Sequence, residues 1–154
     1  MPESADKTSY HISPVMALHR YFIWANKMRT DFDALLQNQK GTIPSASAYE
    51  IEIQLYMSYW YAGLYVVIEG WQELKLIDPR IHDLLNKTDF VDLLRRYRNG
   101  VFHFQKDYFD QRFANVWFEK QDFVIWIRLL NSEFGRFFLD WHAKYKCIHG
   151  NGAK

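Results

Sequence analysis

The segment Arg98-Asn99-Gly100-Val101-Phe102-His103 places a guanidinium, a carboxamide and an imidazole within six residues. These groups suit phosphodiester chemistry. An imidazole titrates near neutrality and can carry a proton in either direction, while a guanidinium grips a phosphate through two parallel hydrogen bonds. Such a site needs no metal. Arg95, Arg96, Lys106 and Arg112 flank the segment and could meet RNA phosphates, and Tyr108, with Phe109 beside it, could stack on a splayed base. The competing reading makes the cations a solvated face paired with Asp92, Asp107 and Asp110, and the two aromatics core or interface residues.

On an ideal helix, Phe90, Leu93, Leu94, Tyr97, Val101 and Phe104 share one face, which must be the core side. Asp92, Arg96, Asn99 and His103 fall opposite. Arg98 lies at the edge of the apolar stripe, about 140° around the axis from His103. A straight helix therefore holds Arg98 and His103 apart. Either a distortion at Gly100, a poor helix former, or a second copy of the chain would have to bring them together.

Arg98-Asn99-Gly100-Val101-Phe102-His103 resembles the Arg-polar-x-x-x-His motif of HEPN domains. The resemblance implies an α-helical, often homodimeric protein, and many members of that family are metal-independent endoribonucleases with a composite site at the dimer interface. Arg98 would then hold the scissile phosphate, Asn99 would orient the site, and His103 would move the proton of the 2′-hydroxyl or the leaving oxygen, leaving a 2′,3′-cyclic phosphate. The same resemblance implies a toxin or defence system with a cognate antitoxin as a partner. The chain departs from the antitoxin-paired toxins that carry a Tyr two residues after the His, because Gln105 stands there. A second loose spacing, Arg136 to His142, belongs to an ordinary amphipathic helix.

Two other readings stay open. In one, Arg98, Asn99 and His103 are structural, and the chain is a non-catalytic helical dimerisation or interaction module. In the other, the chain binds a nucleotide without hydrolysing it. No cofactor is expected, since the sequence has no phosphate-cradling Gly-rich loop, no dinucleotide turn and no nucleophile elbow. Nor is a metal site. His142 and His149 lack nearby carboxylates or thiolate pairs, and His11 and His19 read as isolated surface residues near the first helix.

The elements that must position the motif read as helices. Ser13-Pro14 opens the first, whose apolar positions Leu18, Phe22, Ala25, Met28, Phe32 and Leu35 recur at helical spacing until Gly41. Ser47-Ala48-Tyr49-Glu50 has capping-box spacing and opens the second, which runs to about Leu76. Asp78-Pro79 opens a short helix to about Leu85, and Thr88 caps the motif helix. Residues Gln105 to Lys120 lack periodicity and read as an irregular or briefly helical connection. The last helix carries Phe123, Ile127, Leu130, Phe134, Phe137, Trp141 and Tyr145 on one stripe, before Gly150 and Gly152. These aromatic stripes read as core.

Short connections between long helices imply antiparallel neighbours, so the expected fold is all-α: an up-and-down four-helix bundle with an additional short helix, HEPN-like. Residues 1–12 read as a disordered lead, 13–147 as one domain and 148–154 as a frayed tail. A composition 49% hydrophobic with seven Gly and four Pro supports a packed helical core. The formal net charge of +1 excludes a globally basic nucleic-acid packager, so any RNA contact must be local. A single cysteine, Cys147, allows no internal disulfide and favours a cytoplasmic setting. The uncharged run Ile53 to Ile68 is shorter than the roughly 20 residues of a membrane span and reads as a packed helix centre.

Overall fold

The computed structural model describes residues 13–38, 46–119 and 121–149, and side chains for all of these except 46, 47 and 147–149. The lead at 1–12 with His11, the stop at Gly41, the side chains of Cys147 and His149, and the glycines at 150 and 152 lie outside the described residues. Among the described residues six helices follow in order: α1 (Pro14–Gln37), α2 (Ala46–Glu73), α3 (Pro79–Leu85), α4 (Thr88–Phe102), α5 (Gln111–Trp117) and α6 (Gln121–His149). The protein is all-α, with α1, α2, α4 and α6 forming the core.

Local chemistry sets most of the helix ends. Ser13 Oγ accepts the Val15 N–H ahead of Pro14, and one Asp78 oxygen accepts the N–H groups of Arg80 and Ile81 ahead of α3. Other boundaries differ from those read in the sequence. Lys87, not Thr88, is the cap residue of α4, and it makes no side-chain cap bond. The first residue of α2 is Ala46, so Ser47 lies inside the helix and the cap position falls outside the described residues. That helix stops at Glu73 because Lys75 turns to φ 52, allowing the Leu76 N–H to reach back to the Trp71 carbonyl. The 105–120 stretch contains α5, whose start is fixed by Asp110 accepting the Arg112 N–H. Two short helices thus accompany the four long ones among the described residues, and α5 realises the briefly helical alternative for the 105–120 stretch beside the one short helix of the expected bundle. α6 runs on to His149, past the expected domain end at 147.

Close approaches position α2 and α4. A Cβ on Gly63 would stand 3.1 Å from that of Ala25, so α1 and α2 meet nearly backbone to backbone. The uncharged stretch of α2 becomes the centre of the core, with Trp60, Leu64, Val67 and Ile68 fully enclosed. Leu94 and Tyr97 bring α4 onto α2, and Phe123, Ile127, Leu130, Phe134 and Phe138 bring α6 onto the same core. Burial of this kind stabilises by about 1.5–3 kcal/mol per large apolar side chain. Among the described residues, no helix is long and apolar enough to cross a membrane.

Candidate functional site at the end of α4

Arg98, Asn99 and His103 occupy the last turn and the cap of α4. Helical hydrogen bonding ends with the His103 N–H on the Asn99 carbonyl at 3.1 Å, and His103 itself is extended at φ −123, ψ 127. Phe104 therefore never joins the core face expected for it. It is 91% exposed.

Arg98 is held firmly. Its guanidinium forms an ion pair with Glu69 of α2, donates to Asn99 Oδ1 at 3.1 Å, and lies 5.2 Å above the Tyr65 ring. Its Nε is buried without an acceptor. Burial and the Glu69 carboxylate push the Tyr65 hydroxyl pKa up, so this tyrosine stays a neutral platform. Asn99 thus serves Arg98 directly, although the two point to different sides of an ideal helix.

The imidazole of His103 has no hydrogen-bond or ion-pair partner among the described residues, and it is exposed. It borders a cavity of about 330 Å³ whose walls include Ser58, Gly100, Phe104, Tyr108 and Trp117. Arg98 is not among the lining residues. Within one chain, then, the Arg98 and Asn99 side chains bond each other, while the His103 side chain bonds neither. Gly100 does not end the helix, which continues through it to Phe102. Glycine is needed there for another reason: a Cβ would stand 3.1 Å from Arg112 Cβ and from the Phe113 ring, so its absence lets α5 pack on α4.

The flanking cations follow the solvated-face reading for the most part. Arg95 and Arg96 both bond Asp92, and their hydrogen bonds hold its carboxyl pKa below the usual range. Arg112 bonds Asp110 and Gln105 Oε1. Asp107 takes no cation among the described residues and accepts the Phe109 N–H. Lys106 is exposed and has no partner among the described residues. Tyr108 and Phe109 are two-thirds exposed and pack edge to face against each other, with Phe102 against Tyr59 nearby. They are surface aromatics, not core.

Two features escaped sequence reasoning. Glu69, the partner of Arg98, ends the uncharged run of α2, and its position as the first charge after that run was the available signal. His19, read as an isolated surface residue, shares a 2.7 Å hydrogen bond with His142 across α1 and α6 and stacks on Phe138. No sequence signal joins residues so far apart. Among the described residues, no group of three or more His, Cys, Asp or Glu side chains could hold a metal.

No family model, curated protein or solved structure matches this chain.

Proposed function

We propose that the protein is a HEPN-like RNA-binding protein, an up-and-down helical bundle that dimerises and acts as a metal-independent endoribonuclease in a toxin or defence system. One observation carries the reading: a free, exposed imidazole at His103 caps the same helix whose last turn holds a guanidinium fixed by Glu69 and Asn99. A proton carrier must be accessible, and a phosphate clamp gains from being preorganised. A His103 side chain with no bond to Arg98 within one chain suits a composite site, with Arg98 of one copy and His103 of the other meeting on one phosphate. The exposed aromatics Phe102, Phe104, Tyr108 and Phe109 surround this helix end and supply apolar surface for a second copy or for stacked bases.

The test is incubation of purified protein with RNA in a chelator, reading the product ends. Cleavage leaving 2′,3′-cyclic phosphates, abolished by His103→Ala, is the expected result. Intact RNA at high protein concentration refutes the catalytic reading.

A second reading draws on the Arg98–Glu69 ion pair itself, since a guanidinium already paired inside one chain can serve simply to dock α4 on α2. The protein is then a non-catalytic interaction module. RNA cleavage separates the two: Phe104→Asp, checked by ultracentrifugation, dissociates dimers under either reading, but only under the enzyme reading is there a cleavage activity for it to abolish.

A further inference from the structure

On the far side of the core, α1 and α6 enclose a groove of about 630 Å³. Lys27, Arg29 and Arg128 line it, with no Asp or Glu among the described lining residues. Asp33 stands just behind and is shared: Arg29 donates to it at 2.6 Å and Arg128 at 2.7 Å. Lys27 is paired with Asp31. Three cations therefore face two carboxylates, and one positive charge is left over.

The guanidiniums are also fixed in place. Arg29 Nε donates at 2.9 Å to Asn26 Oδ1, an oxygen that also accepts from Asn131 Nδ2, while Asn131 Oδ1 accepts the Trp60 indole N–H. Trp60 is fully buried, so this chain of hydrogen bonds anchors a surface cation in the core. Arg128 lies over the same Trp60 ring, 5.3 Å from its centre. The second terminal nitrogen of Arg29 has no partner among the described residues. Around this polar floor the groove is apolar, with Ile23 and Leu139 exposed at its rim.

A preorganised guanidinium pair with surplus charge matches an oxyanion, and an apolar rim matches a hydrocarbon or aromatic body. We propose that this groove binds a small organic anion, its charged oxygens on Arg29 and Arg128 and its apolar body along Ile23 and Leu139. The anionic group is a carboxylate or a phosphate ester. The site is separate from the end of α4 and does not depend on RNA chemistry there.

The experiment uses 1-anilinonaphthalene-8-sulfonate, a fluorescent monoanion with an aromatic body, beside its uncharged counterpart N-phenyl-1-naphthylamine. The full chain is expected to bind one equivalent of the anionic probe and to bind the neutral one far more weakly. Ile23→Asp adds a carboxylate at the rim, one helical turn from Lys27, while leaving the Arg29–Asp33–Arg128 cluster intact, and should weaken the anionic probe about tenfold or more. Ile77→Asp, at another exposed apolar position, should leave the affinity unchanged. Displacement by decanoate identifies a carboxylate ligand, and displacement by adenosine 5′-monophosphate a phosphate ester. Equal binding of both probes, equal affinity in Ile23→Asp, or displacement by neither competitor overturns the proposal. Melting curves of both variants check that the fold is retained.

Discussion

Arg98 and Glu69 stand 29 residues apart in the chain and meet as an ion pair that ties the last turn of α4 to α2. His103, only five residues beyond Arg98, lies past the helix end and takes no part in that tie. The two chemical groups of the motif thus have opposite structural roles, one anchored and one free. Substitutions at the two positions should separate accordingly.

His103→Ala removes an exposed, unpartnered side chain and should change stability by less than about 0.5 kcal/mol. Arg98→Ala removes the ion pair and the contact with Tyr65, and should cost about 1 kcal/mol. Urea denaturation measures both. On the enzyme reading, His103→Ala nonetheless lowers RNA cleavage by about 100-fold or more. Equal destabilisation by the two substitutions would contradict the assignment.

Gly100→Val should destabilise by about 1–3 kcal/mol, because its side chain would meet Arg112 and Phe113 and force α5 off α4. Loss of near-ultraviolet signal from Trp117, with little change in helix content, would accompany it. A neutral effect in denaturation would show that α5 gives way freely.

Lys75 adopts φ 52 to close α2, a conformation that costs an L side chain and costs glycine nothing. Lys75→Gly should therefore stabilise by up to about 1 kcal/mol. Thermal melts test the sign.

Burial, then the nearby charge of His142, lowers the pKa of His19 below its ordinary 6.5. The folded protein therefore resists a proton that the unfolded chain accepts. Stability from this group is complete above pH 6.5, declines as the pH falls from there toward the depressed folded value, and levels off below it. The bond to His142 from α6 and the stacking on Phe22 and Phe138 define the surroundings of the ring. His19→Phe should flatten the dependence of melting temperature on pH between about 7 and 5. An unchanged slope would assign the dependence to other groups.

Asn131→Ala deprives the Trp60 indole of its acceptor inside the core and removes the donor to Asn26. A buried donor left unpaired costs about 1–3 kcal/mol. The same variant should weaken binding of the anionic probe in the α1/α6 groove, since Arg29 loses its anchored neighbour.

The amino-acid pattern alone determined the all-α class, the starts of α1 and α3, the core positions Phe123, Ile127, Leu130 and Phe134 of α6 and the candidate groups Arg98, Asn99 and His103; Trp141 and Tyr145 of that stripe are only half-buried, and the core takes Trp126 and Phe138 as well. Each is written locally: caps act over two or three residues, and helical burial repeats every three or four. Tertiary structure decided the rest, because it turns on groups far apart in the chain. Glu69 selects the side to which Arg98 turns, and Phe113 makes Gly100 a packing position where the sequence had indicated a weak point. Asp92 draws Arg95 and Arg96 onto one carboxylate, and the end of α4 at Phe102 turns Phe104 out to solvent. Periodicity can place a side chain on a helix face, but what it meets there depends on a partner whose sequence separation carries no signal.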